Sequence, residues 1–172
     1  MGNMITERLY LFYSGTDLTG LTGSWGYIQA YAGNGVTMAS VNSTAIRVQS
    51  GANTEAVTGT GVLVGNNSKV SLNGYNTVTL TIGNYGSSYT HEITRICFST
   101  TYTYNTLRTQ GTLTAAVNWS ESNLSNYCEH VTGASGTGDK SITVSSLTSS
   151  YYMVFMTTNS RLINITKILL KT

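Results

Sequence analysis

Seven carboxylates, two imidazoles and two thiols are all that this 172-residue chain offers to acid–base, nucleophilic or metal chemistry. The acids are Glu7, Asp17, Glu55, Glu92, Glu121, Glu129 and Asp139. Glycoside cleavage needs two carboxyl groups about 5–10 Å apart across the scissile bond. Glu121 and Glu129 flank one loop-like segment and form the candidate pair for a hydrolase or depolymerase; solvated surface acids are the simpler account of both. Serines are plentiful and His91 and His130 are present, yet no elbow motif marks a nucleophile. No catalytic residue is therefore assigned, and the chain is read as non-enzymatic.

Metal chemistry is as thinly marked. Cys97, Cys128, His91 and His130 make a nominal Cys2His2 set, but zinc sites carry their cysteines as close pairs and these two lie far apart. The cysteines are read as two free thiols, at least one in the core; one disulfide is arithmetically allowed. Asp17 or Asp139, with neighbouring loop carbonyls, could hold calcium. Structural loop carboxylates are the preferred reading of both, so no cofactor is expected, with calcium left open.

The aromatic residues say more. Sugars present apolar C–H faces that stack on Trp and Tyr rings, while amides and acids take the hydroxyls, the usual mixture of a mostly apolar site with a few polar groups. Tyr102 and Tyr104 alternate in TYTYN and so share a strand face, with Asn105 beside them. Asn118, Trp119 and Glu121 lead on to Tyr127, and Trp119 reads as a ring in a polar loop. These seven residues are the candidate sugar contacts. Trp25, Tyr27 and Tyr31 read as core or core edge, and Tyr151 and Tyr152 as structural.

Something must hold these rings, and alternation with period two names it. TVTLTI (77–82) puts Val78, Leu80 and Ile82 on one face and three threonines on the other. The same pattern turns Leu113, Ala115 and Val117 inward, likewise Ile46 and Val48, and likewise Ile142 and Val144. LYLFY (9–13) and YYMVFM (151–156) are apolar on both faces and read as central strands covered on their second side. In the last strand Ile163 and Ile165 fall out of phase with Ile168 and Leu170, which predicts a β-bulge at Thr166-Lys167. Clusters such as Gly33-Asn34-Gly35, Gly65-Asn66-Asn67, Asn73-Gly74, Gly83-Asn84 and Gly133 to Gly138 read as turns. Nine to eleven strands result, no window shows a helical face, and the expectation is one all-β domain, a jelly-roll sandwich of two antiparallel sheets over 7–172. Residues 1–6 read as a leader or remnant.

Composition narrows the partners. Charged residues are 9% of the chain, hydrophobic residues 40%, and the net charge is +2. Disordered chains combine few apolar residues with high net charge, and membrane helices need about 20 consecutive apolar residues; neither pattern is present. Nine dispersed basic residues, nearly balanced by seven acids, argue against nucleic acid, whose binding rests on clustered cations. A neutral surface rich in hydroxyls, amides and tyrosine suits sugars or another protein subunit.

Three segments taken together, LYLFYSGTDLTGLTGSWGY (9–27), VSLNGYNTVTLTI (70–82) and SITVSSLTSSYYMVFMTTNSRLINITKILL (141–170), resemble the C-terminal jelly-roll domains of phage and prophage tail or minor structural proteins of Gram-positive bacteria. Ser24 stands where those relatives have Gly before the Trp, and Ser71 where many have Asp. The resemblance spans nearly the whole chain. It implies a carbohydrate-binding-module-like fold, a place on the virion and a role in host recognition. The implied partners are bacterial surface polysaccharide and other virion proteins, in a homotrimer. A purely structural decoration or fibre role is the rival implication.

Overall fold

The structure, a computed structural model, describes residues 8–15, 25–29, 36–50, 61–86, 89–110, 119–158 and 160–172. Residues 1–6, read as a leader or remnant, lie outside the described residues, as do Asp17, Glu55, Tyr31, Asn118 and the strand expected around Leu113 to Val117. So do Glu7 and the turn at Gly33 to Gly35.

The described chain is all-β with two short helices. In order it forms β1 (Arg8–Tyr13), β2 (Trp25–Gln29), β3 (Val36–Val41), β4 (Ile46–Ser50), β5 (Gly61–Asn66), β6 (Val70–Ser71), β7 (Thr77–Ile82) and β8 (Thr90–Ser99). After them come α1 (Tyr104–Arg108), α2 (Glu121–Leu124), β9 (His130–Ser135), β10 (Gly138–Thr143), β11 (Ser150–Thr158) and β12 (Arg161–Lys171). The strands hydrogen-bond into one twelve-stranded sheet with the path β10-β7-β12-β8-β11-β5-β2, nearly closed into a barrel. The expected separation into two sheets is bridged at one point: β12 pairs β8 in parallel at Arg161–Thr90 and Leu162–His91. Every other pairing is antiparallel among the described residues.

β12 organises the first ladder. Ile165 is partnered by both Ile46 of β4 and Ile82 of β7, and Lys167 by both Thr81 of β7 and Tyr13 of β1. The register of β12 against β7 shifts between Ile165 and Lys167. This is the bulge expected from the sequence, and its consequence is visible in the packing: Ile163, Ile165, Ile168 and Leu170 all enter the same core. Without the extra residue, half of them would face water.

That main core takes alternate residues from β5 (Val62, Val64), β8 (Ile96, Phe98) and β11 (Met153, Phe155), with Trp25 stacked on Phe155 at 5.7 Å. The inward set of the TVTLTI segment joins it. The intervening residues Leu63, Cys97, Val154 and Met156 build a second cluster on the opposite side, closed by Leu107 of α1, Trp119, Leu124 of α2 and Cys128. This is why the YYMVFM strand is apolar on both faces. LYLFY is different. β1 pairs only with β12 among the described residues, and Leu9, Tyr10 and Tyr13 are exposed, so it is not the central strand its composition suggested. A register shift between Tyr10 and Phe12 lets both Leu11 and Phe12 turn inward.

Candidate functional site

The strongest candidate lies where the helical cover meets the end of β8. Chain 100–103 leaves β8 and starts α1 with Thr103 as N-cap: its hydroxyl accepts from the Thr106 amide, and the Thr106 side chain accepts from the Thr103 amide. This reciprocal arrangement satisfies two amides that a helix start leaves unpaired. Ser120 caps α2 one way only, its hydroxyl accepting from the Asn123 amide. Neither helix was expected, because their four and five residues are too short to develop a periodic face and are rich in Thr, Ser and Asn.

One buried hydroxyl joins the two segments. Ser99 Oγ accepts from the Tyr102 amide at 2.9 Å and donates to the Tyr127 carbonyl at 2.9 Å. The two rings consequently meet edge to face, centroids 5.4 Å apart at 81°, a favoured aromatic geometry. Glu129 completes the corner, its carboxylate accepting from the Thr100 amide at 3.0 Å and the Thr100 hydroxyl at 2.8 Å. Between these groups is an open depression of about 450 Å³ lined by Thr101, Tyr102, Ser125, Asn126, Tyr127, Cys128 and Glu129. Behind it, Cys97 and Cys128 are joined as a disulfide, Cα atoms 5.5 Å apart, within the usual span.

The disulfide corrects the reading of two free thiols. Cys97 faces the second cluster rather than the main core, which is where the chain returns at Cys128 after the helical cover. It also removes both thiolates from the nominal zinc set. Among the described residues no group of three or more His, Cys, Asp or Glu side chains is placed to hold a metal. His91 is buried and its Nε2 accepts from the Tyr85 amide at 3.0 Å, while His130 lies 5.9 Å from the Phe98 ring. Asp139, one of the two calcium candidates, accepts from the Thr81 hydroxyl at 2.7 Å.

Of the seven expected sugar contacts, the structure brings the Tyr102 and Tyr127 rings together at the depression and leaves Trp119, Tyr104, Asn105 and Glu121 outside its lining. Trp119 is 3% exposed. It packs into the second cluster, and its carbonyl accepts from Arg95 Nε at 2.8 Å, so its ring offers no face to a sugar. Tyr104 does not lie on one strand with Tyr102, because the chain turns into α1 between them, although both rings pack against the second cluster. Its ring instead covers the paired glycines Gly26 and Gly65 of β2 and β5. The expected turn at Gly65-Asn66 is thus the end of a buried strand. Asn105 and Glu121 are exposed on α1 and α2, outside the depression's lining. Asn118 lies outside the described residues. Ser99 and Asn126 were missed as site residues, and Glu129 was weighed only as half of a catalytic pair with Glu121. Pairing the cysteines would have exposed them, since it folds the 126–129 segment against the end of β8.

The arrangement offers stacking edges and hydrogen-bonding groups, with Glu129 as the one carboxylate and no cation in the lining. No family model matches the chain, nor does any curated protein or solved structure. No helix among the described residues is long and apolar enough to cross a membrane.

Proposed function

We propose that this chain is a non-catalytic jelly-roll domain of a phage or prophage virion that binds glycan on the surface of a Gram-positive host. The observation that carries the reading is the Tyr102–Tyr127 pair, fixed edge to face beside an open depression lined by an amide, hydroxyls and one carboxylate. Rings of this kind receive the C–H faces of a sugar, and the polar rim takes its hydroxyls. Each oxygen of the Glu129 carboxylate accepts one hydrogen bond from Thr100, which suits a carboxylate that orients a ligand and accepts from it with its remaining lone pairs. The disulfide supports a setting outside a reducing cytoplasm, such as the surface of a particle.

The test is a glycan array and a pull-down on Gram-positive cell envelopes with the purified chain. Binding to at least one envelope polysaccharide is expected, weakened roughly three- to tenfold by Tyr102→Ala or Tyr127→Ala, the loss that one aromatic contact carries. A folded chain that binds no envelope fraction removes the reading.

A second reading, assembly with other copies or other virion proteins, draws on Tyr27, exposed at 44% on β2. Large exposed rings are enriched at protein interfaces. Solution mass distinguishes the two: a homotrimer in which Tyr27 becomes protected favours assembly, and a monomer that binds glycan does not.

A further inference from the structure

The face of the sheet away from the main core carries a second ordered set of side chains, on strands that contribute nothing to the Tyr102–Tyr127 corner. Strand registers align residues across four strands. Tyr13 of β1 partners Lys167 of β12, Lys167 partners Thr81 of β7, and Thr81 partners Asp139 of β10. The inward neighbours of this rung, Phe12, Ile168 and Ile82, lie in the main core, so alternation turns the rung itself outward. Three strand spacings make the rung about 14 Å long.

Two bulges create the rung. The one in β1 brings Tyr10 and Tyr13 to the same side, their rings edge to face at 5.3 Å and exposed at 37% and 44%. The one in β12 inserts Thr166 and leaves an open hollow of about 220 Å³ lined by Tyr13, Ser14, Thr81, Thr166 and Lys167. The next rung, Tyr10–Leu169–Thr79–Ser141, is closed at its centre, with Leu169 and Thr79 buried. The accessible groups therefore concentrate on the Tyr13 rung: a braced ring at one end, a carboxylate at the other, and an ammonium and hydroxyls between. Lys167 makes no ion pair among the described residues, and one cation with one anion leaves the rung close to neutral.

The geometry points to a second glycan-contact site on this face, taking a short stretch of neutral polysaccharide laid across the strands. Tyr13 would stack on one sugar ring, Lys167 would donate to hydroxyl or ring oxygens, and Asp139 would accept from hydroxyls at the far end. A neutral ligand is favoured over an anionic one because the carboxylate lies in line with the ammonium. This rests on the glycan-binding reading and adds to it: the domain would hold its ligand at two separate places, so that linked contacts strengthen attachment to a polymer beyond either site alone.

The experiment titrates the purified full chain with neutral envelope polysaccharide fragments from Gram-positive cells. The wild type is compared with Tyr13→Ala, Lys167→Gln and Tyr102→Ala, each first confirmed folded by circular dichroism. Weakening by Tyr13→Ala of roughly three- to tenfold, and by Lys167→Gln, supports the second site. It does so whether or not Tyr102→Ala also weakens binding. If Tyr13→Ala does not fold, Lys167→Gln decides alone, since a Lys-to-Gln change at this half-exposed position leaves the core intact. Binding that Tyr102→Ala weakens and neither rung variant changes overturns this inference and leaves the first site standing. No binding by the folded wild type overturns both.

Discussion

Tyr104 touches the sheet where no side chain stands in its way. A Cβ on Gly26 would meet the Tyr104 hydroxyl, a side-chain atom rather than backbone. A Cβ on Gly65 would lie 2.6 Å from the Met153 carbonyl oxygen, which is held in the ladder between β5 and β11. The two positions are therefore expected to differ. Gly65→Ala destabilises by about 1–3 kcal/mol, as overpacking against backbone does, and Gly26→Ala by less; denaturant unfolding of both variants measures the gap. Equal effects would show that the ring, rather than the backbone, sets the tolerance. Residues of this kind were the hardest to read from sequence. Gly65-Asn66 has turn chemistry, yet Asn66 is buried and its side-chain oxygen accepts from the Met153 amide at 2.9 Å. Trp119 has polar neighbours in sequence, but the groups it packs against, Leu63 and Val154 among its cluster, come from strands far along the chain.

Among the elements, the alternating strands such as β4, β7 and β12 were legible, the glycine-bearing strands β5 and β9 were not, and neither were the helices, for a physical reason. A strand shows its buried face within six residues, as TVTLTI does, and a phase change such as that in β12 betrays its bulge. A helix needs about three turns to show a stripe, and α1 and α2 have little more than one. What holds α1 is its cap. Thr103→Ala removes the acceptor for the Thr106 amide, and the expected cost is about 1 kcal/mol, read from thermal or denaturant unfolding. Because α1 follows closely on Tyr102, the same change is expected to loosen the Tyr102–Tyr127 contact and, on the proposed glycan-binding reading, to lower glycan affinity without touching a lining residue. A variant with unchanged stability would show that packing of Leu107, fully buried beneath the helix, is enough to keep α1 in place.

At the scale of the whole molecule, the helical cover is held to the barrel-like sheet by apolar contact with the second cluster and by one covalent bond. The sequence separation of Cys97 and Cys128 is 31 residues. Closing a loop of that size in the unfolded chain is worth about 3–4 kcal/mol on the chain-entropy account. Replacing both cysteines by Ala is expected to cost about 2–4 kcal/mol of unfolding free energy, with the strands of the main core retained in circular dichroism. No loss of stability would mean that the apolar contacts alone suffice. All-β architecture, the inward residues and the bulge could be derived from local pattern. The disulfide could not, because it depends on where a cover with no local signature returns to the sheet.

The bond between Cys97 and Cys128 also alters what a protease can accomplish. A single cut at any peptide bond from residue 97 to residue 128 yields two polypeptides that still migrate as one species on electrophoresis. They separate only after a thiol reagent is added, so a chain nicked there stays in one piece long after its backbone is severed.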